Sequence, residues 1–413
     1  MPLHVRSALR ARAVRVATGL ATLALLVALT PPLAASAPAR VIAVGDVHGE
    51  LDGFVALLEA TGVIDARRRW TAGAATLVQT GDISDRGDGV RAAMDLLMAL
   101  ERNAPRAGGR VVALLGNHEL MVLLGDFTEV TPAICAAFAD GGSERRRERA
   151  WRDQAALVAR HSGAFATPPS IAAQTREAFV AQWPLGCLEY REALGPRGRY
   201  GRWLRARDVA AVVEGTLYMH AGVRPDLPVA SVAEMNTRVR EELARYDQLT
   251  AALVRARLVL PHFTLTQMVE VAVAQVTAAN AYIAEARARG RLPDGPALDM
   301  PATQAAADLT TIADWWLVDP DGPMWYRGYA READGEITTP LLAMLARLGA
   351  THMAVGHTPT ADGRIHVRAG GHLFLIDTGM LAHVYNGRPA ALEHLPDGTF
   401  AARYLDRLDH LTP

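Results

Sequence analysis

The residues of this chain best suited to chemistry fall in five short groups, each beside glycine. Gly45-Asp46-Val47-His48-Gly49 is the first and Gly81-Asp82-Ile83-Ser84-Asp85-Arg86-Gly87 the second. Gly116-Asn117-His118-Glu119 follows, and after a long interval come His220-Ala221-Gly222 and Gly356-His357-Thr358. Carboxylates, imidazoles and a carboxamide are donors that borderline transition metals accept, and glycine lets a backbone turn tightly around an ion. Singly, each group has an ordinary explanation. Asn117 can cap a helix, and His220 or His357 can be a hydrogen-bonded core histidine. Together, and in this order, they describe a metal cluster. His161, His262, His352, His372 and His383 lack such surroundings and read as structural or surface residues.

Something must bring these groups to one place, and the segments before them supply it. Val41-Ile42-Ala43-Val44, Thr76 to Gln79 and Arg110 to Leu115 read as buried strands, with helical patterns at Leu51 to Thr61 and Val90 to Arg102 between them. This β-α-β-α-β order predicts an α/β layered fold. Ligands of such sheets collect at the carboxyl ends of strands, where the motifs lie. Further strands are expected at Leu217 to Met219, His352 to Val355, Leu373 to Ile376 and Ala390 to Leu395, the third ending in Asp377-Thr378-Gly379. Two long interruptions follow: one at about 120–212, with charged runs such as Glu144 to Arg149, and one at about 229–310, rich in alanine with apolar residues at three- and four-residue spacing. They are expected to be mostly helical and to cap a compact core, with peripheral decoration as the alternative. No repeat or low-complexity tract is evident.

The chain has 413 residues, half of them hydrophobic, which is ample for a large interior. A formal net charge of −1 gives no global attraction to nucleic acid or anionic membrane. There is no lysine, so all 43 basic residues are arginine. Compositional bias of the genome accounts for that, yet the planar guanidinium remains well suited to phosphate. Residues 1–39 read as a signal peptide. Arg6, Arg10, Arg12 and Arg15 precede an apolar stretch from Val16 to Thr30, then small residues from Ala34 to Ala39. The apolar stretch is short for a bilayer, so the expectation is export to the periplasm or medium, against an uncleaved N-terminal anchor. Residues 40–413 would then be the mature domain, with no stable membrane insertion. Cys135 and Cys187 either bridge or stay apart as buried thiols; spacing alone does not decide.

The ordered set of motifs resembles the calcineurin-like metallophosphoesterases. Asp85-Arg86-Gly87 points to their phosphoprotein phosphatase branch, and Trp325-Tyr326-Arg327-Gly328-Tyr329 to the Shewanella-like, bacterial-type protein phosphatases. The resemblance covers about residues 41–127, 215–225 and 320–382. It implies a layered α/β/β/α sandwich with helical insertions and two metal ions. Asp46, His48 and Asp82 would hold the first ion, and Asp82, Asn117, His220 and His357 the second, with Asp82 bridging. Two cations sharing a carboxylate sit about 3.5–4 Å apart and lower the pKa of a water between them. Mixed nitrogen and oxygen donors do not select the metal; the resemblance favours manganese, with iron or zinc open. It also implies that Asp85 orients His118 to protonate the leaving oxygen, and that Arg86 and Arg327 clamp the phosphate. A surface arginine resting on Trp325 or Tyr326 is the plainer reading of Arg327.

The function expected is metal-dependent hydrolysis of phosphate monoesters, with a phosphorylated protein, peptide or small molecule as substrate and no nucleic-acid partner. Dinucleoside polyphosphate hydrolysis and broad periplasmic phosphomonoesterase action are alternatives. A non-catalytic metal-binding module is disfavoured, since neither a ligand nor His118 is lost. The sequence does not give an oligomeric state.

Overall fold

The computed structural model describes residues 39–161, 168–293 and 298–412. Residues 1–38, where a signal peptide is expected, lie outside the described residues. The strands are β1 Val41–Val44, β2 Thr76–Gln79, β3 Arg110–Ala113, β4 Ala210–Val213, β5 Thr216–Met219, β6 His352–Val355, β7 His366–Arg368, β8 Leu373–Leu375, β9 Ala390–His394, β10 Phe400–Tyr404 and β11 Leu408–Leu411. They form a six-stranded sheet, β11-β10-β9-β1-β2-β3, and a five-stranded one, β4-β5-β6-β8-β7.

The two sheets face each other, and β1 shows why. All four of its residues are buried. Successive strand residues point to opposite faces, so Val41 and Ala43 pack with Tyr218 of β5, Ala354 of β6 and Phe374 of β8 between the sheets. Ile42 and Val44 point the other way, into a core with Phe54, Leu57, Val90 and Met94 of the flanking helices. A strand covered on both sides carries no polar residue, which is the continuous apolar run seen in the sequence. Fully burying each such side chain is worth about 1.5–3 kcal/mol.

In the first sheet β1, β2 and β3 run parallel, and β9 joins β1 antiparallel. β1 pairs with β2 and β2 with β3, in register Val41 to Thr76 to Arg110. In the second sheet β5, β6 and β8 are parallel, with antiparallel β4 and β7 at the edges. Six strands therefore end just before Asp46, Asp82, Asn117, His220, His357 and Asp377.

The two interruptions are mostly helical, as expected, although β4 opens at Ala210, inside the first range. The first contains helices Ser143–His161, Cys187–Leu194 and Arg199–Arg205; the second contains Val232–Arg255, Leu265–Arg289 and Met300–Leu309. Cys135 and Cys187 are joined in a disulfide that ties helix Pro132–Ala136 to helix Cys187–Leu194. The first interruption is more than decoration. The Tyr190 hydroxyl donates to the Ser84 carbonyl, 2.6 Å, and the Arg86 amide donates to the Glu129 carbonyl, 3.0 Å. Both contacts brace the loop that carries the second motif. Among the described residues no helix is long and apolar enough to cross a membrane.

Candidate active site

The motif loops are fastened to one another before any side chain is considered. The Asp82 carbonyl accepts from the amides of Val47, 3.0 Å, and His48, 2.8 Å. The buried Glu119 carboxylate accepts four backbone N–H groups, from Asp82 at 2.7 Å, Ile83 at 2.8 Å, Ser84 at 3.0 Å and Gly116 at 2.7 Å. Glycine is required where the backbone meets the carboxylates. A Cβ on Gly116 would lie 2.0 Å from Asp82 Oδ1, and one on Gly356 would lie 2.2 Å from Asp46 Oδ1. Nine non-glycine residues among those described have positive φ, and four of them are His48, Asp82, Arg86 and His357. Each such backbone costs of order 1–3 kcal/mol, and it persists only where the surroundings dictate it.

The loops bring together all six residues expected to bind metal. Asp46, His48 and Asp82 offer atoms within 4.8 Å of one another, and so do Asp82, His220 and His357. All of these residues are buried. Asp82 belongs to both sets. Its Oδ1 accepts from the His118 amide, 3.0 Å, which leaves Oδ2 at 3.5 Å from His48 Nε2 and 3.3 Å from His220 Nε2. Asn117 joins the second set, its Oδ1 at 2.7 Å from His220 Nε2.

The second set is a convergence of acceptors. His220 Nδ1 faces the Thr80 carbonyl at 3.2 Å, so its one proton belongs there. His357 Nε2 likewise faces the Trp325 carbonyl at 3.0 Å. The bare nitrogens, His220 Nε2 and His357 Nδ1, then stand 3.0 Å apart beside Asn117 Oδ1 and Asp82 Oδ2. Burial, then the neighbouring imidazoles, holds His220 well below the ordinary histidine range, so it carries a single proton. Buried acceptors facing acceptors are costly unless a cation lies between them. The donor set thus fits a divalent ion, with each imidazole held by a hydrogen bond from its other nitrogen. Burial also pushes the carboxyls of Asp46 and Asp82 well up, reinforced by Asp377 and Asp82 for the first and by Glu119 and Asp85 for the second. A cation would relieve that as well.

Asp85 joins two imidazoles. Its Oδ1 is 3.0 Å from His48 Nδ1, and its Oδ2 accepts from His118 Nδ1. Burial opposes the Asp85 charge, but these two partners outweigh it and hold its pKa at about 2. Burial also pulls the His118 imidazole down, but Asp82 and Asp85 lift it to about 9. His118 Nε2 points toward the shared carboxylate, 3.7 Å from Asp82 Oδ2.

Both arginines reach the cluster. Arg86 Nη1 donates to His48 Nε2 at 2.9 Å and to the Tyr385 hydroxyl, while its Nε holds Glu129 at 3.2 Å. Arg327 Nη1 donates to the His357 carbonyl, 2.5 Å, and to Thr358 Oγ1, 3.0 Å. Arg327 is therefore anchored at the site, not stacked on Trp325 or Tyr326. Two contributors escaped the sequence reading. Glu119 had a signal, since a glutamate three residues past a helix start commonly takes backbone N–H groups there. Asp377, which the sequence offers as support for the site and not as a ligand, is buried against Asp46. Tyr385, which contacts Arg86, had no signal at all.

With this geometry in view, kinship can be placed. Residues 39–222 match the family model described as calcineurin-like phosphoesterase. The fold is that of the metallophosphatases, and the resemblance to calcineurin-like phosphoesterases holds over the matched residues. Among named relatives, it is 43% identical over 94 residues to Shewanella-like protein phosphatase 2 of Arabidopsis thaliana, a stretch covering 23% of this chain and 24% of that protein. It is 28% identical over 360 residues to an uncharacterized protein of Schizosaccharomyces pombe, covering 86% of this chain and 77% of that one. The crystal structure of a cold-active protein-tyrosine phosphatase from a psychrophilic Shewanella superposes with a TM-score of 0.51 at 23% identity, over 91% of this chain and 81% of that one. The family implies divalent metal ions and a phosphorylated substrate, and the structure has the histidine–aspartate clusters to hold the ions.

Proposed function

We propose that this chain hydrolyses phosphate monoesters at a two-metal centre, with phosphoproteins or phosphopeptides as substrates. The observation that carries the reading is Asp82, whose Oδ2 faces two separate sets of buried donors beside the His118–Asp85 pair. Asp46, His48 and Asp82 would hold one ion, and Asp82, Asn117, His220 and His357 the other; manganese is favoured, with iron or zinc open. Bound there, the ions supply a water of lowered pKa and positive charge against the phosphoryl oxygens. His118 gives its Nε2 proton to the departing oxygen as the P–O bond breaks, and Asp85 fixes the ring and the tautomer. Arg86 and Arg327 hold the non-bridging oxygens, where bidentate guanidinium contacts are strong. The Arabidopsis relative's name, protein phosphatase, supports the choice of substrate class.

Turnover of phosphoserine, phosphothreonine and phosphotyrosine peptides, a small aryl phosphate and diadenosine tetraphosphate, compared side by side, tests this. The expected result is efficient cleavage of phosphopeptides and slow or absent cleavage of the dinucleotide. A dinucleotide cleaved faster than every monoester would shift the assignment to anhydride hydrolysis.

Export belongs to the same proposal. The basic start, the short apolar stretch and the small-residue segment support it, and a disulfide suits an oxidising compartment. N-terminal sequencing of protein from the periplasm or medium should give a first residue between about 35 and 40. Intact chain beginning at Met1 and confined to the cytosol would overturn it.

A further inference from the structure

Beside the metal-ligand cluster lies a cavity of about 460 Å³, lined by one segment that includes Trp325, Tyr326, Arg327 and Arg331. Arg327 and Trp325 connect it to the cluster. The first donates to the His357 carbonyl, and the second accepts from His357 Nε2 through its own carbonyl. A substrate whose phosphate sits over Asp82 would therefore run its adjoining chain past this cavity.

The charges around the cavity are unevenly satisfied. Its two acids are engaged, Asp321 with Arg224 at 3.1 Å and Glu332 with the Tyr326 hydroxyl at 3.2 Å. Nearby arginines are engaged too: Arg224 pairs with Asp226 at 2.6 Å, and Arg368 with Asp334. Arg331 is exposed and makes no ion pair or side-chain hydrogen bond among the described residues. Arg327 hydrogen-bonds a carbonyl and a hydroxyl but no carboxylate. Two adjacent cations at the rim of a cavity, neither of them hydrogen-bonded to a carboxylate among the described residues, attract an anion.

We propose that this cavity is an accessory subsite for an acidic side chain flanking the phosphorylated residue of the substrate, with Arg331 as its specificity residue and Arg327 shared with the phosphate. Trp325 and Tyr326 give the stem of that side chain an apolar wall, and a glutamate or aspartate fits the volume. The inference rests on the phosphatase reading above and refines it, naming acidic phosphopeptides as the favoured class.

The test uses two phosphopeptides of identical length, one with glutamate and one with glutamine at the positions on either side of the phosphoresidue, together with a small aryl phosphate. The wild-type enzyme should show kcat/KM about three- to fivefold higher for the glutamate peptide, the worth of a solvent-accessible ion pair. The preference should fall to near unity in Arg331→Ala and invert in Arg331→Glu. It should also fade as salt is raised. Equal kcat/KM for the two peptides in the wild type, or a preference that survives both substitutions, would overturn the subsite while leaving the phosphatase reading intact. Failure of the metal-loaded wild type to cleave the aryl phosphate or either peptide would overturn the phosphatase reading and this refinement with it.

Discussion

Replacing Asp82 by Asn should strip both metal ions from the protein and take nearly all of the activity with them. No other residue stands in both donor sets. Its Oδ2 lies 3.5 Å from His48 Nε2 on one side and 3.3 Å from His220 Nε2 on the other, while Oδ1 accepts from the His118 amide. Asparagine can keep the hydrogen bond from that amide, so the loop retains its form. It cannot supply the negative charge that two cations share. The loss should exceed the ~10–100-fold effect of changing a group that merely supports a ligand. Metal content per chain and turnover, measured on the same sample, decide the matter. Chelation of the wild type should abolish turnover in the same way, and added Mn²⁺ should restore it at least in part. A variant that keeps two metals and wild-type turnover, or full activity in demonstrably metal-free protein, would end the two-metal reading.

His118→Asn should behave differently. The imidazole is no member of the two donor sets built on Asp82, so metal content should be unchanged. Turnover should fall by about 10²–10⁴-fold, the usual worth of a general acid. The deficit should shrink for aryl phosphates with activated leaving groups, which depart without a proton. Kinetics over a series of leaving groups measures this directly. The same deficit for poor and good leaving groups would remove His118 from the acid role and leave it as a structural partner of Asp85.

The sequence disclosed this centre more fully than the fold around it, for physical reasons. β1, β2, β3, β5, β6, β8 and β9 were legible because each carries a short run of apolar residues that packs into the core, and each of the first six ends shortly before a chemically distinctive residue. β4, an edge strand of two alanines and two valines, begins inside a range read as mostly helical. β7 is three residues long and only partly buried. β10 and β11 extend the first sheet by antiparallel pairing, and their mixed composition carries no run long enough to stand out. Within the site, the metal ligands, His118 and Asp85 were legible because the chemistry restricts residue type. Tyr385 was not, because its place depends on a short helix, Ala382–Tyr385, folding back on Arg86. The Cys135–Cys187 bridge was equally out of reach, since it joins two helices of an insertion whose packing no local pattern encodes.

One further consequence follows from the way the donors are shared between two sheets. The contact from His48 to Asp85 closes a loop of 37 positions, whereas His357 meets Asp46 across 311. Loop-closure entropy grows only with the logarithm of length, so the longer closure costs about 2 kcal/mol more than the shorter. That is a small sum against a core of this size, but non-local pairing is slow to find. The half of the centre around Asp46, His48 and Asp82 can assemble within the first sheet. The half completed by His357 must wait until the second sheet has formed and docked. Through chain length alone, the long insertions govern the order of assembly far more than the cost of closing the centre.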